Sequence, residues 1–164
     1  VNEALFSLNV ESTAGPDGFT NKFFMFYWDI VNYNLVNAVR DFFTRGYMPY
    51  GLNSNFITLI PKKDNAIDVK DFRPIAIGNT TQKIISKILM NRLGGFIKDH
   101  ISPNQYGFIA GRNIQTYLFT ASEGINLMKK KAVHENFALK IDISKAFDTL
   151  KWNFLLDVIR RLGF

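Results

Sequence analysis

The run Phe137-Ala-Leu-Lys-Ile-Asp142 constrains this chain most. It is an apolar, strand-like stretch that stops abruptly at a carboxylate and gives way to helix-forming residues. A side chain at the C-terminal end of a buried strand leaves the core, and ligands gather there in sheets that carry sites. Asp142 is therefore a candidate ligand. The same pattern also suits an aspartate that merely caps the next helical turn, with Asp148 on that helix's solvated face.

The rest of the chain narrows the choice. At 164 residues and 47% hydrophobic it can bury one sizeable core, which makes it one domain or part of one. It holds no cysteine, and His100 and His134 are far apart, so disulfides and thiolate sites are excluded and zinc is disfavoured. A hard metal on carboxylates stays open. No apolar run approaches the roughly 20 residues of a membrane span, and no leader is visible, so the parent protein is expected to be intracellular, nuclear or cytoplasmic, and not secreted. The chain opens at Val1 and stops at Leu162-Gly-Phe164, and both ends read as cut. Residues 1–50 hold three Lys/Arg against five Asp/Glu, whereas residues 51–164 hold seventeen against nine. One-sided basic charge suits a polyanion such as nucleic acid, although ordinary basic domains share it.

Periodicity and turn chemistry place the elements. Ala4, Leu5 and Leu8 have helical spacing, and Ala14-Gly-Pro-Asp-Gly18 is a dense turn signal. From Asn21 to about Thr44 apolar residues recur at three- and four-residue steps, predicting one amphipathic helix whose aromatic stripe is core. Residues 56–61 and 72–77 read as a hairpin carrying Lys62, Lys63 and Arg73 near its tip. Asn79 or Thr80 caps a helix with Ile84, Ile85, Ile88, Leu89 and Leu93 on one face, interrupted at Gly94-Gly95. A turn-rich segment, Ser102 to Arg112, precedes a helix from Ile114 to about Lys131, capped by Asn113. The lysine run Lys129-Lys-Lys131 suits that helix's C-terminal dipole. A strand at 137–142 and a helix from about Lys151, burying Leu155, Leu156, Ile159, Leu162 and Trp152, complete a helix-rich α+β pattern.

Four ordered blocks carry a family resemblance. They are Gly15-Pro-Asp-Gly-Phe19, Ile60-Pro-Lys-Lys63 with Phe72-Arg-Pro-Ile75, Gln105-Tyr-Gly-Phe-Ile-Ala-Gly-Arg112, and Lys140-Ile-Asp-Ile-Ser-Lys-Ala-Phe-Asp148. From about Ala14 to Gly163 the chain resembles the reverse transcriptase of non-LTR (LINE-type) retrotransposons, in a plant-like form. The resemblance implies an incomplete right-hand polymerase fold, with fingers over 1–113 and the start of a palm over 114–164. The family's aromatic-x-Asp-Asp motif is missing, since no Asp-Asp pair occurs.

The implied reaction is RNA-templated attack of a DNA primer 3′-hydroxyl on a deoxynucleoside triphosphate, with two Mg²⁺ ions, or Mn²⁺ in their place. By resemblance Asp142 and the carbonyl of Ile143 hold metal, Asp142 being the catalytic carboxylate. Lys62 and Arg73 bind the triphosphate, where Arg grips phosphate bidentately and Lys is a flexible point charge. Phe147 takes the place of the steric gate under the sugar, and Gln105 and Arg112 touch template. Asp148 belongs to the pattern without being a metal ligand. The partners are RNA template, DNA primer and nucleotide, with no membrane, and the oligomeric state is left open. The chain by itself is expected to be inactive.

Other readings compete. Lys62 and Lys63 can be merely solvated, which is the reading kept for Lys63, and Arg73 can pair with Asp71 or Asp68. A decayed, non-catalytic RNA-binding remnant would use the basic surface without chemistry. A phosphoacceptor domain with Asp142 at a strand end would need a doubly wound parallel sheet that the helix-rich N-terminal half does not supply.

Overall fold

Helical spacing of apolar residues and two β-rich segments set the elements. The computed structural model describes residues 1–128, 136–143 and 145–164. In chain order these are α1 (Asn2–Phe6), α2 (Asn21–Phe26), α3 (Trp28–Arg45), β1 (Asn55–Pro61), β2 (Phe72–Gly78), α4 (Thr80–Ile97), α5 (Ile114–Met128), α6 (Ala146–Thr149) and α7 (Trp152–Arg161). Two compact units result, Val1–Asn91 and Arg92–Phe164. Mixed helices and one two-stranded antiparallel sheet make the class α+β. Among the described residues no helix is long and apolar enough to cross a membrane.

The core of the first unit gathers Ala4 and Leu5 of α1, Leu35 and Val39 of α3, and Ile84 and Ile85 of α4, bordered by Phe24, Trp28, Phe42 and Met48. Each large aliphatic side chain buried this way contributes about 1.5–3 kcal/mol. The single helix expected over 21–44 is two helices, broken at Tyr27 (φ −98°, ψ 26°). Thr20 caps the first by accepting the Phe23 N–H at 3.2 Å. A break resets the helical phase, so one stripe cannot run through both helices. Leu35 and Val39 are buried, whereas Tyr27 and Ile30 of the expected stripe are exposed. The second helix ends at Gly46, whose φ of 64° is a left-handed cap and whose N–H meets the Phe42 carbonyl at 2.8 Å.

The hairpin forms where the sequence predicts it, with Ile60 facing Arg73 and Pro61 facing Phe72. Every residue of β1 is exposed. A bare two-stranded ribbon is marginal in isolation, and this one leaves Phe56, Ile57, Leu59 and Ile75 facing solvent. α4 runs through Gly94-Gly95 instead of stopping there. Glycine weakens a helix by roughly 1 kcal/mol relative to alanine, yet still makes the backbone bonds.

In the second unit the expected strand at 137–142 is absent. Among the described residues β1 and β2 form the only sheet, and Phe137, Leu139 and Ile141 are exposed. A strand is a pairing, and a β-rich segment without a ladder to join does not become one. α7 half-buries Leu155, Val158, Ile159 and Leu162, which lie at helical spacing. Leu156 and Trp152, both expected inside, are exposed, Trp152 by 75%. Trp152 is the first residue of the helix, and Leu156 falls off the stripe.

Candidate functional site

The hairpin tip is built by strand alternation. The Lys62 N–H donates to the Asp71 carbonyl at 2.7 Å, continuing the ladder one step beyond the strands. Lys62 stands two residues past Ile60, the partner of Arg73, so Lys62 and Arg73 share one face of the ribbon. Lys62 Nζ rests on the Lys70 carbonyl at 2.6 Å. Neither Asp71 nor Asp68 pairs with Arg73: Asp71 takes Lys63 at 3.0 Å and Asp68 takes Lys70 at 3.0 Å. Arg73 is exposed, with no ion pair to a described residue.

Lys63, read from sequence as solvated, therefore has a structural partner. The Asp71 side chain is only 11% exposed, and it also accepts the N–H groups of Ile67 and Asp68, at 3.4 and 3.3 Å. The hydrogen bond from Lys63 holds the Asp71 carboxyl below its usual value, against the opposing effect of burial. The two backbone N–H groups and the charge of Lys62 assist. A carboxylate whose folded pKa is depressed stabilises the fold above its unfolded pKa of about 3.9, and that contribution is lost as pH falls through the lower folded value. Amide protection at Lys62 and Asp71 should thus hold above about pH 4 and fade below it. Lys63→Met should move the Asp71 titration midpoint upward in an NMR titration.

The hairpin root is a buried polar hub. Asn79 is fully buried. Its Nδ2 donates to the carbonyls of Gly51 and Leu52 at 3.0 and 3.3 Å, and its Oδ1 accepts the Asp17 N–H at 3.1 Å. Beside it Thr80 Oγ1 donates to Asn21 Oδ1 at 3.0 Å, and Lys83 Nζ donates to the Thr13 carbonyl at 2.7 Å. Partial burial pushes the Lys83 pKa down. Gly15 packs so closely that a Cβ there would stand 2.4 Å from Asn79 Oδ1 and 2.5 Å from its backbone nitrogen. Residues that read as helix caps are thus what docks the Gly15–Gly18 turn against the root of the hairpin.

In the second unit Arg112 faces its own loop. Its guanidinium donates to the carbonyls of Ile101, at 3.1 Å, of Ser102 and of Gln105. The Gln105 amide donates to the Gly107 carbonyl at 3.2 Å. Asn113 caps α5 as expected, accepting the Gln115 N–H at 2.9 Å. Phe108 is held at φ 62°, fully exposed. That conformation is unfavourable for a bulky side chain by about 1–3 kcal/mol, and no residue type in the segment signals it.

Asp142 and Ile143 are exposed, and a left-handed Lys145 (φ 51°) leads into α6. The side chains of Phe147 and Asp148 lie outside the described residues. Asp142 offers the hard oxygen that a divalent cation takes. Among the described residues, however, no three Asp, Glu or His side chains converge on one point. One carboxylate is a ligand and not a site, so these residues alone do not fit a bound Mg²⁺.

Comparison with known proteins bears on these features together. The sequence profile of the family described as reverse transcriptase (RNA-dependent DNA polymerase) matches residues 60–164, from the hairpin tip through Asp142 to the last residue. The transposon TX1 uncharacterized 149 kDa protein of Xenopus laevis is 26% identical over 164 residues, covering 100% of this chain and 12% of that protein. The retrovirus-related Pol polyproteins from the type-1 retrotransposable element R2 of Popillia japonica and of Nasonia vitripennis are each 27% identical, over 77% and 92% of this chain. The chain spans only 17% and 14% of their lengths. It belongs to the reverse transcriptase family.

Proposed function

We propose that this chain is the fingers and the start of the palm of an RNA-directed DNA polymerase from a non-LTR retrotransposon. The observation that carries the reading is the family match over residues 60–164, within which the hairpin brings Lys62 and Arg73 to one face of its tip. Its substrates are an RNA template, a DNA primer and deoxynucleoside triphosphates, and its location is intracellular, nuclear or cytoplasmic. Residues 1–113 form the fingers and 114–164 open the palm.

Each residue has a distinct task. Arg73, exposed and without an ion pair to a described residue, grips triphosphate oxygens in fork geometry. Lys62 leaves the neutral Lys70 carbonyl for the more strongly attracting phosphate. Asp142 would supply one carboxylate to the site at which such transfer takes two divalent cations, Mg²⁺ or Mn²⁺ in its place. Phe147 lies under the sugar, and Gln105 and Arg112 shape the loop that the template passes. With a single carboxylate of that site, the chain alone extends no primer.

Binding and chemistry test this separately. Residues 51–164 carry eight more Lys/Arg than Asp/Glu. If three or four of these charges neutralise phosphates of single-stranded RNA, affinity falls roughly 20- to 50-fold between 50 and 200 mM salt. Fluorescence anisotropy at the two salt concentrations should show that drop, while primer extension with Mg²⁺ shows no product from the 164-residue chain and product from the full-length parent. Salt-independent or absent binding would overturn the nucleic-acid reading. Extension by the chain alone would overturn its incompleteness.

A further inference from the structure

The loop over residues 101–112 presents its phenylalanine, not its arginine. Arg112 is closed onto three loop carbonyls, and the Gln105 amide onto the Gly107 carbonyl. Both polar side chains of the block are therefore committed within the loop, and what they hold outward is Phe108. Its ring is fully exposed, on a backbone at φ 62° that glycine would adopt without strain. It lines an open groove of about 750 Å³ whose other walls include Tyr106, Gly107, Gly111 and Asn113. An unfavourable backbone that displays a bare aromatic ring is explained when the ring has work outside the fold.

We propose that Phe108 is a stacking platform for a base of single-stranded nucleic acid lying in this groove. The proposal rests on the polymerase reading and adds the residue and the kind of contact.

Charge selects the occupant. Lys98 Nζ stands 3.7 Å from where a Cβ of Gly111 would sit, which puts a cation at the groove's edge. The Arg92–Phe164 unit holds eleven Lys/Arg against six Asp/Glu. A ring in a groove edged by a cation is an arrangement that takes a base by its π-face and the adjoining phosphate by charge. A second aromatic surface lies alongside, where Tyr106 pairs with Tyr117 at a ring separation of 5.7 Å. Arg112 then acts as a positioning residue, setting the loop shape that displays the ring.

The test uses the 164-residue chain with two 12-nucleotide RNA probes in low salt, one of uridines and one carrying abasic sites. Wild type should prefer the base-bearing strand. Phe108→Ala should weaken binding to it by about 5- to 150-fold and leave the abasic strand unaffected, while Phe108→Trp should bind as wild type. Phe108→Gly guards against a folding artefact. Glycine suits φ 62°, so thermal stability should be equal or higher while affinity falls as in Phe108→Ala. Equal binding of both strands by wild type, or alanine and glycine variants within twofold of wild type, would overturn the stacking role alone. Absence of any low-salt binding by wild type would overturn the nucleic-acid reading along with it.

Discussion

Asn79→Ala is expected to destabilise the Val1–Asn91 unit by about 2–4 kcal/mol. The substitution strands three groups at once, the Asp17 N–H and the carbonyls of Gly51 and Leu52, which lie 62, 28 and 27 residues away in sequence. Each buried polar group left unpaired costs about 1–3 kcal/mol. Gly51 itself is exposed and can turn to water, and Asp17 and Leu52 are only half-buried, which keeps the total below the simple sum. Against a total stability of roughly 5–15 kcal/mol the loss is large. Urea unfolding followed by circular dichroism measures it, with exposed Asn53→Ala as the control, expected to stay within about 0.5 kcal/mol of wild type. Because the Gly15–Gly18 turn and the hairpin root share this one side chain, amide protection in both should fall together. A change of less than about 0.5 kcal/mol for Asn79→Ala would mean that water replaces the amide freely and that the hub does not hold the fold.

The hairpin was legible because its signals are local. Two β-rich segments are joined by a polar loop, and Pro61 stands where the first strand ends. The Asn113 cap was legible for the same reason. The hub was not. Asn79 beside a helical pattern reads as a cap, and only the fold brings Asp17 and Gly51 to it. The Tyr27 break was hidden too, since neither glycine nor proline marks it and the apolar steps continue across it.

Arg112 shows a different limit. A guanidinium can donate to loop carbonyls as well as to phosphate oxygens, so its residue type does not say which it meets. Lys63 is similar, since the sequence shows a lysine after a strand and not the nearly buried Asp71 that it neutralises. Segment 137–142 shows a third limit, in which composition favours a strand but pairing depends on residues elsewhere.

In a full-length polymerase carrying this segment, Asp142→Asn is expected to slow nucleotide addition by about 1,000-fold or more while leaving RNA affinity almost unchanged. Asp142 is exposed and makes no hydrogen bond or ion pair with a described residue. Among the described residues its charge therefore holds no element together, and the isosteric amide should leave thermal unfolding unaltered. What the amide loses is the negative charge that makes a carboxylate a strong ligand for a hard cation. A loss of about 4 kcal/mol of transition-state stabilisation corresponds to about 1,000-fold in rate. Affinity should move the other way, if at all, because one negative charge leaves a unit with eleven Lys/Arg and six Asp/Glu. Single-nucleotide primer extension and anisotropy on the same preparation separate the outcomes. Loss of both activity and binding would make Asp142 a structural residue, and wild-type extension would make it no more than a solvated cap.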